Sequence, residues 1–241
     1  MRRRPFLTAS WRYLAMLNYR IDPALLAPYV PDGTTLDTFN GEVYISLVGF
    51  LFEDTRLLGL PVPFHRNFEE LNLRFYVRRV EKGESRRAVV FIRELVPKRA
   101  IALVARLAYN EPYLAMPMQH AITHGEGKTL DVTYRWWFNE RWNSVTLRAG
   151  GEPAEIAAGG EEEFIAEHYW GYTRQRNGST LEYEVRHPRW RTWKVSFSSL
   201  DADVEALYGP VFGSVLREVP ASSLLAEGSP VTVYRGRRLI L

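Results

Sequence analysis

The chain has 241 residues, 46% of them hydrophobic, and its 31 basic and 28 acidic side chains leave a formal charge of only +3. It contains no cysteine, which excludes a disulfide framework, a thiolate metal site and a thiol nucleophile. The longest strictly apolar stretch, Ala100 to Ala105, is far below the roughly 20 residues of a membrane span, so no membrane role is expected. The start Met1-Arg2-Arg3-Arg4-Pro5 resembles the basic region of a signal peptide. Trp11, Arg12, Asn18 and Arg20 interrupt the apolar run that should follow, and the expected location is the cytoplasm.

In chain order, strand signals dominate. Trp11–Arg20 reads as a strand, and Asp22-Pro23 as an N-cap with proline at the first helical position, opening a short helix through Tyr29. Thr34–Phe39 and Glu42–Phe52 flank Asn40-Gly41, a type I′ hairpin signature. Glu70–Val80 and Arg86–Val96 flank Glu81-Lys82-Gly83-Glu84, a second hairpin. Pro97 starts a helix to about Tyr109, and Leu114–Thr123, Leu130–Phe138 and Ser144–Arg148 follow as strands. Ala149 to Gly160, rich in Gly, Ala, Pro and Glu, reads as a long surface loop inside one domain spanning 1–241. Glu161–His168 is a short helix, and Asn177-Gly178 turns a third hairpin between Tyr169–Arg176 and Thr180–Arg186. Thr192–Ser198 and Val231–Arg235 are strands, and between them lies a short helix capped by Asp201 and stopped at Gly209-Pro210. The fold class is α+β: a mostly antiparallel, barrel-like sheet or pair of sheets with segregated short helices.

The segment after Pro97 carries the strongest chemical signal. Ala100 to Ala105 is apolar all round, which predicts a helix buried at the centre of the fold. Its first turn holds Lys98 and Arg99, two cations where the macrodipole is positive and acids are preferred. The helix N-terminus, the adjacent guanidinium and desolvation would each lower the pKa of Lys98, whereas pairing with Glu94 would raise it. A lysine neutral near pH 7 can condense with a carbonyl. The bland alternative is a structural ion network.

The run Arg93-Glu94-Leu95-Val96-Pro97-Lys98-Arg99 resembles the sequence around the Schiff-base lysine of acetoacetate decarboxylase, with Lys98 on the nucleophile and Arg99 on its cationic neighbour. A longer resemblance, over nearly the whole chain, is to the YqjF-like proteins of the acetoacetate decarboxylase-like superfamily. It is carried by Tyr109-Asn110-Glu111-Pro112-Tyr113, Met118-Gln119-His120, His168-Tyr169-Trp170-Gly171-Tyr172-Thr173-Arg174 and His187-Pro188-Arg189-Trp190. The resemblance implies an antiparallel, cone-like β-barrel around a central cavity. The lysine pair of the decarboxylase is Lys-Arg here.

These readings give Lys98, Glu94 and Glu111 as candidate catalytic groups and Arg99, Tyr113 and His120 as candidate substrate contacts. The ligand would be a small keto or carboxylic acid, bound either for decarboxylase-like chemistry or without catalysis. No cofactor is expected, since no P-loop, Gly-rich dinucleotide fingerprint or Gly-x-Ser-x-Gly occurs. No metal is expected either: His120 and His124 on a strand stand roughly 13 Å apart. His168 and His187 approach each other across the third hairpin and read as structural. Tyr172 to Lys194 interleaves arginines with aromatic rings that could stack single-stranded bases, yet Glu182 and Glu184 dilute the patch and the weak charge makes nucleic acid the lesser alternative. A homo-oligomer is compatible with the sequence.

Overall fold

A computed structural model describes residues 4–103 and 110–240. Its strands are β1 (Pro5–Arg20), β2 (Thr35–Leu36), β3 (Tyr44–Leu57), β4 (Leu60–Pro61), β5 (Phe68–Glu81), β6 (Glu84–Val96), β7 (Tyr113–Ala115) and β8 (Met118–His124). Then come β9 (Thr129–Phe138), β10 (Arg141–Glu155), β11 (Trp170–Arg174), β12 (Thr180–Arg186), β13 (Arg191–Asp201), β14 (Ser222–Tyr234) and β15 (Arg237–Arg238). They form one mostly antiparallel sheet. Two turns are built on glycines at positive φ: Gly83 (81°), after Lys82 (52°), joins β5 to β6, and Gly41 (84°), after Asn40 (51°), forms the turn before β3.

Strands β14, β1, β3, β5, β6, β11 and β12 pair successively, and β12 pairs back onto β14 through Val185↔Val233 and Arg186↔Thr232, so the pairing runs in a closed circuit. β13, β10, β9 and β8 extend from β14 as a wing. Each long strand of the circuit therefore buries both faces. On β5, Leu71, Leu73, Phe75 and Val77 join a core shared with the wing and the helix Val204–Leu216, while Phe68 and Tyr76 join a second cluster on the opposite face.

Two bulges set which residues face that second cluster. On β1, Tyr13 (φ 51°) lies in a bulge, since β3 pairs with Arg12 through Leu51 but with Ala15 through Gly49, three residues against two. Alternation restarts there, and Trp11, Leu14 and Met16 end up on one face. Gly228 (φ 80°) sits opposite, where a Cβ would collide with the Trp11 carbonyl. On β6, Leu73 pairs with Arg93 but Arg74 pairs with Phe91, leaving Ile92 unpaired. Phe91 and Glu94, three apart, consequently face the same way.

Several expectations need correction. Thr34–Phe39 is not a partner of β3 beyond the Phe39↔Glu42 bridge; Thr35 and Leu36 pair with β5 instead. Ala149–Glu155 is not loop but the end of β10, which accommodates its glycines by a register shift between Gly150 and Ala154. Leu114–Thr123 is broken into β7 and β8 at Met116-Pro117, where proline supplies no backbone donor. The last helix is capped by Asp203, whose Oδ1 accepts from the Ala206 N–H at 3.2 Å, and Gly209-Pro210 kinks it rather than ending it. Asp22 caps the first helix, with its side chain accepting from the Ala24 N–H. Of the helix expected over 97–109, residues 99–103 are helical and 104–109 lie outside the described residues. This turn is not an apolar helix at the centre: Ala102 is buried against the second cluster, but Ala100 is exposed and Leu103 is 57% exposed. Among the described residues no helix is long and apolar enough to cross a membrane.

Candidate functional site

The face of the circuit strands that carries the second cluster also encloses a cavity of about 250 Å³. One wall is aromatic. Trp11 meets Phe50, Phe52 and Trp190 edge-on at 5.3, 5.9 and 6.3 Å, Phe52 stacks on Phe68 at 4.6 Å, and His187 stacks on Trp190 at 4.2 Å. Trp190 is fixed by its indole N–H donating to Ser229 Oγ at 2.8 Å. Such a wall supplies a large apolar surface at little entropic cost.

The polar groups enter from β5, β6 and the segment leading into β7. Strand alternation puts Glu70, Asn72 and Arg74 on the cavity face of β5, and the β6 bulge adds Glu94. β7 runs parallel beside β6, with Glu94 opposite Tyr113, and so brings Glu111 and Tyr113 to the same end. The Tyr113 hydroxyl donates to Glu70 Oε2 at 3.0 Å, and the Asn72 amide N–H donates to Glu70 Oε1 at 3.3 Å. Glu111 Oε1 accepts from the hydroxyls of Thr173 at 2.5 Å and Tyr183 at 3.0 Å. Glu94 Oε2, Glu111 Oε2 and Asn72 Oδ1 are buried without a hydrogen-bond partner.

Three carboxyls are thus buried together: Glu70, Glu94 and Glu111 are 3%, 1% and 6% exposed. Among the described residues no cation pairs with any of them. Desolvation penalises the anion and raises Glu70 to about 7 and Glu111 to about 8. Glu94 is pushed well above the usual carboxylate range by burial first, then by the negative Glu111 and Glu70. The three share protons at neutral pH, which is where a group must titrate to donate and accept them. Tyr113, raised well above its ordinary value by burial and by the same carboxyls, stays protonated as a donor.

Four residues along β5 from Glu70, Arg74 is a buried guanidinium with no acid partner among the described residues. Its Nη2 donates to the Ile165 carbonyl at 3.2 Å, its Nε has no partner, and its guanidinium lies over the Tyr76 ring at 5.6 Å. Beside it, His168 stacks on Tyr76 at 4.6 Å. Burial, then the charges of Arg87 and Arg74, holds that imidazole well below its usual range and therefore neutral at pH 7. His168 and His187, read from the sequence as structural, both line the cavity.

The structure brings Glu94, Glu111 and Tyr113 together. It places the other candidates elsewhere: Lys98 and Arg99 are exposed and off the cavity lining, although the next two residues, Ala100 and Ile101, line it. His120 is on the outer strand β8, where its Nδ1 meets Glu69 Oε1 at 2.7 Å. That carboxylate holds the imidazole above its usual range. Glu70, Asn72 and Arg74 are the groups the sequence reading missed. Their spacing of two on a strand was visible, but a polar face opposite Leu71, Leu73 and Phe75 reads as solvent-facing until a second layer covers it. Three arginines of the 172–194 segment are ion-paired, Arg186 with Glu184, Arg189 with Glu163 and Arg191 with Glu227, and Arg174 donates to the Pro28 and Val30 carbonyls, while Trp190 belongs to the cavity wall.

Comparison with known proteins gives one family and one fold. Residues 8–230 match the model of the DUF2071 family, described as an uncharacterized conserved protein. The Uncharacterized protein YqjF of Bacillus subtilis (strain 168) is 30% identical over 184 residues, covering 75% of this chain and 72% of that one. Among solved structures, acetoacetate decarboxylase from Legionella pneumophila superposes with a TM-score of 0.68 at 13% identity, over 98% of this chain and 87% of its own. The enduracididine biosynthesis enzyme MppR complexed with pyruvate gives 0.66 at 13% identity, over 98% and 91%. At such identities the likeness is one of fold.

Proposed function

The chain belongs to the DUF2071 family, and on that premise we propose that it binds a small organic acid in the cavity, with the acid group on Arg74 and the Glu70–Glu94–Glu111 cluster exchanging a proton with the ligand. The observation that carries this reading is Arg74: a buried guanidinium that lines a cavity and has no carboxylate partner of its own is costly to desolvate, and a ligand anion would offset that cost. The neutral His168 beside it adds a donor without adding charge. The aromatic wall takes the apolar part of the ligand, and the cavity, small among ligand sites, limits its size. The closed strand circuit supports a barrel-like frame in which this site is held by rigid strands rather than loops. The pyruvate held by the structurally similar MppR is compatible with a ligand of this class.

Titration with butanoate, hexanoate and octanoate by calorimetry tests the reading. At least one should bind the native protein, and Arg74→Met should lose that binding at least hundredfold. An absence of binding by all three overturns it.

In the imine-forming version suggested by the Pro97-Lys98-Arg99 run, the Lys98 amine would attack a keto carbon and lose water. The exposed Lys98 would have to turn inward from the helical turn whose Ala100 and Ile101 reach the cavity. Borohydride reduction with pyruvate present, followed by mass spectrometry, decides this version; an adduct on Lys98 supports it, and an unmodified lysine sinks it.

A further inference from the structure

The two ends of the cavity carry groups of opposite charge type with hydrogen-bonding capacity left unfilled. At the Arg74 end the spare atoms are the cationic guanidinium Nε–H and the two ring nitrogens of the neutral His168, one a donor and one an acceptor. At the other end the spare atoms are Asn72 Oδ1, an amide oxygen that can only accept, and Glu94 Oε2 and Glu111 Oε2, which accept once their carboxyls are ionised. The local hydroxyl donors are committed, Tyr113 to Glu70 and both Thr173 and Tyr183 to Glu111. Asn72 is a neutral amide, 2% exposed, and its unpartnered oxygen lies among three carboxyls that have no cation among the described residues. With its carboxyls ionised, a wall of this kind is completed by a group carrying several N–H donors and a positive charge.

We propose that the carboxyl end of the cavity takes a cationic nitrogen, an ammonium or amidinium, so that the ligand is a zwitterion with an apolar spacer whose acid group lies on Arg74. The acid half of this statement rests on the function proposed above; the cationic half rests on Glu70, Asn72, Glu94 and Glu111 alone. Residues 70 and 74 are four apart on one strand face, roughly 13 Å between their Cα atoms, and both side chains reach inward from there. The spacer is therefore several carbons long, which excludes an α-amino acid bound only through its own ammonium and carboxylate.

The groups facing the cation are Glu70, Glu94 and Glu111, with Tyr113 and Tyr183 beside them and Arg74, His168 and His187 across the cavity. Empty, the cluster holds protons near neutrality, Glu70 with a value of about 7 and Glu111 of about 8. Binding a cation displaces them into solvent. Affinity for a cationic ligand should then rise with pH until the amine itself deprotonates, above pH 10 for an alkylamine.

The test uses the unmodified protein and three sets of probes with four, six and eight carbons: alkanoates, alkylamines and ω-amino alkanoates, titrated by calorimetry at pH 6.0 and 8.5. At pH 8.5 the best ω-amino alkanoate should bind at least about tenfold tighter than the alkanoate of the same length, about 1.4 kcal/mol. That preference should shrink at pH 6.0. Binding in two buffers of different ionisation enthalpy should report proton release with the amino probes. Alkanoates that bind as tightly as their amino counterparts at both pH values overturn the cationic half and leave the acid reading standing. Alkylamines that bind where alkanoates do not would retain the cationic half and remove the acid reading. If no probe binds, both are wrong.

Discussion

Replacing Glu111 by Gln should make the protein more resistant to alkali. The amide oxygen can accept from Thr173 and Tyr183 as Glu111 Oε1 does, and the amide NH2 takes the place of Oε2, which has no partner to lose. At pH 5, where the carboxyl is protonated, the two side chains are nearly equivalent and the proteins should be equally stable. The native group holds its proton up to about 8, while the unfolded chain releases it near the ordinary value of 4.5. Across that window the folded state binds more protons than the unfolded one, so this group's contribution to stability falls as pH rises and levels off above about 8. A difference of 3.5 between 8 and 4.5 corresponds to about 5 kcal/mol at 1.36 kcal/mol for each pH unit, an upper limit because Glu70 and Glu94 hold the same protons. A gain of about 2 to 5 kcal/mol at pH 9 is therefore expected. For a chain of this length that is on the order of 5 to 20 °C in Tm. Thermal and urea unfolding of both proteins at pH 5, 7 and 9 measures it. Parallel pH profiles, or a native protein that gains on the variant between pH 5 and 9, would refute the buried-carboxyl account.

Arg74→Met should abolish binding of acid probes while leaving the fold intact, and its urea midpoint should stay level or rise, because an unpaired buried charge is replaced by an apolar chain of similar length. Gly171→Ala should destabilise by about 1 to 3 kcal/mol, since the added Cβ would press on the Tyr183 ring that donates to Glu111; reduced affinity for amino probes should accompany the lower Tm. His120→Ala should leave ligand affinity unchanged, because His120 lies outside the cavity lining. Its stability cost should be below about 1 kcal/mol and confined to acidic pH, since Glu69 raises the histidine and the contribution fades as pH climbs through that raised value.

The sequence by itself determined what short-range chemistry dictates. Gly83 and Gly178, at φ 81° and 84°, turn their hairpins because few other residues reach such backbone angles without strain, and Asp22-Pro23 starts its helix with its own cap. Period-two apolar residues gave the core face of β5, and the Glu94, Glu111 and Tyr113 candidates proved to lie together. Tertiary structure decided the rest. The same alternation that exposes Glu70, Asn72 and Arg74 to the other side of β5 is silent on what covers that side, and only the pairing of β12 with β14 closes the strands around it. The bulges at Tyr13 and Ile92 reverse the facing of everything beyond them on β1 and β6, so Glu94 reaches the cavity by a bulge that strand periodicity does not announce. Conversely, the apolar run after Pro97 read as a buried helix presenting Lys98, yet Lys98 is exposed, because a cation's place is fixed by what packs around it. Local sequence sets angles and patterns; burial, and with it the chemistry of these acids and this arginine, belongs to contacts made across long stretches of chain.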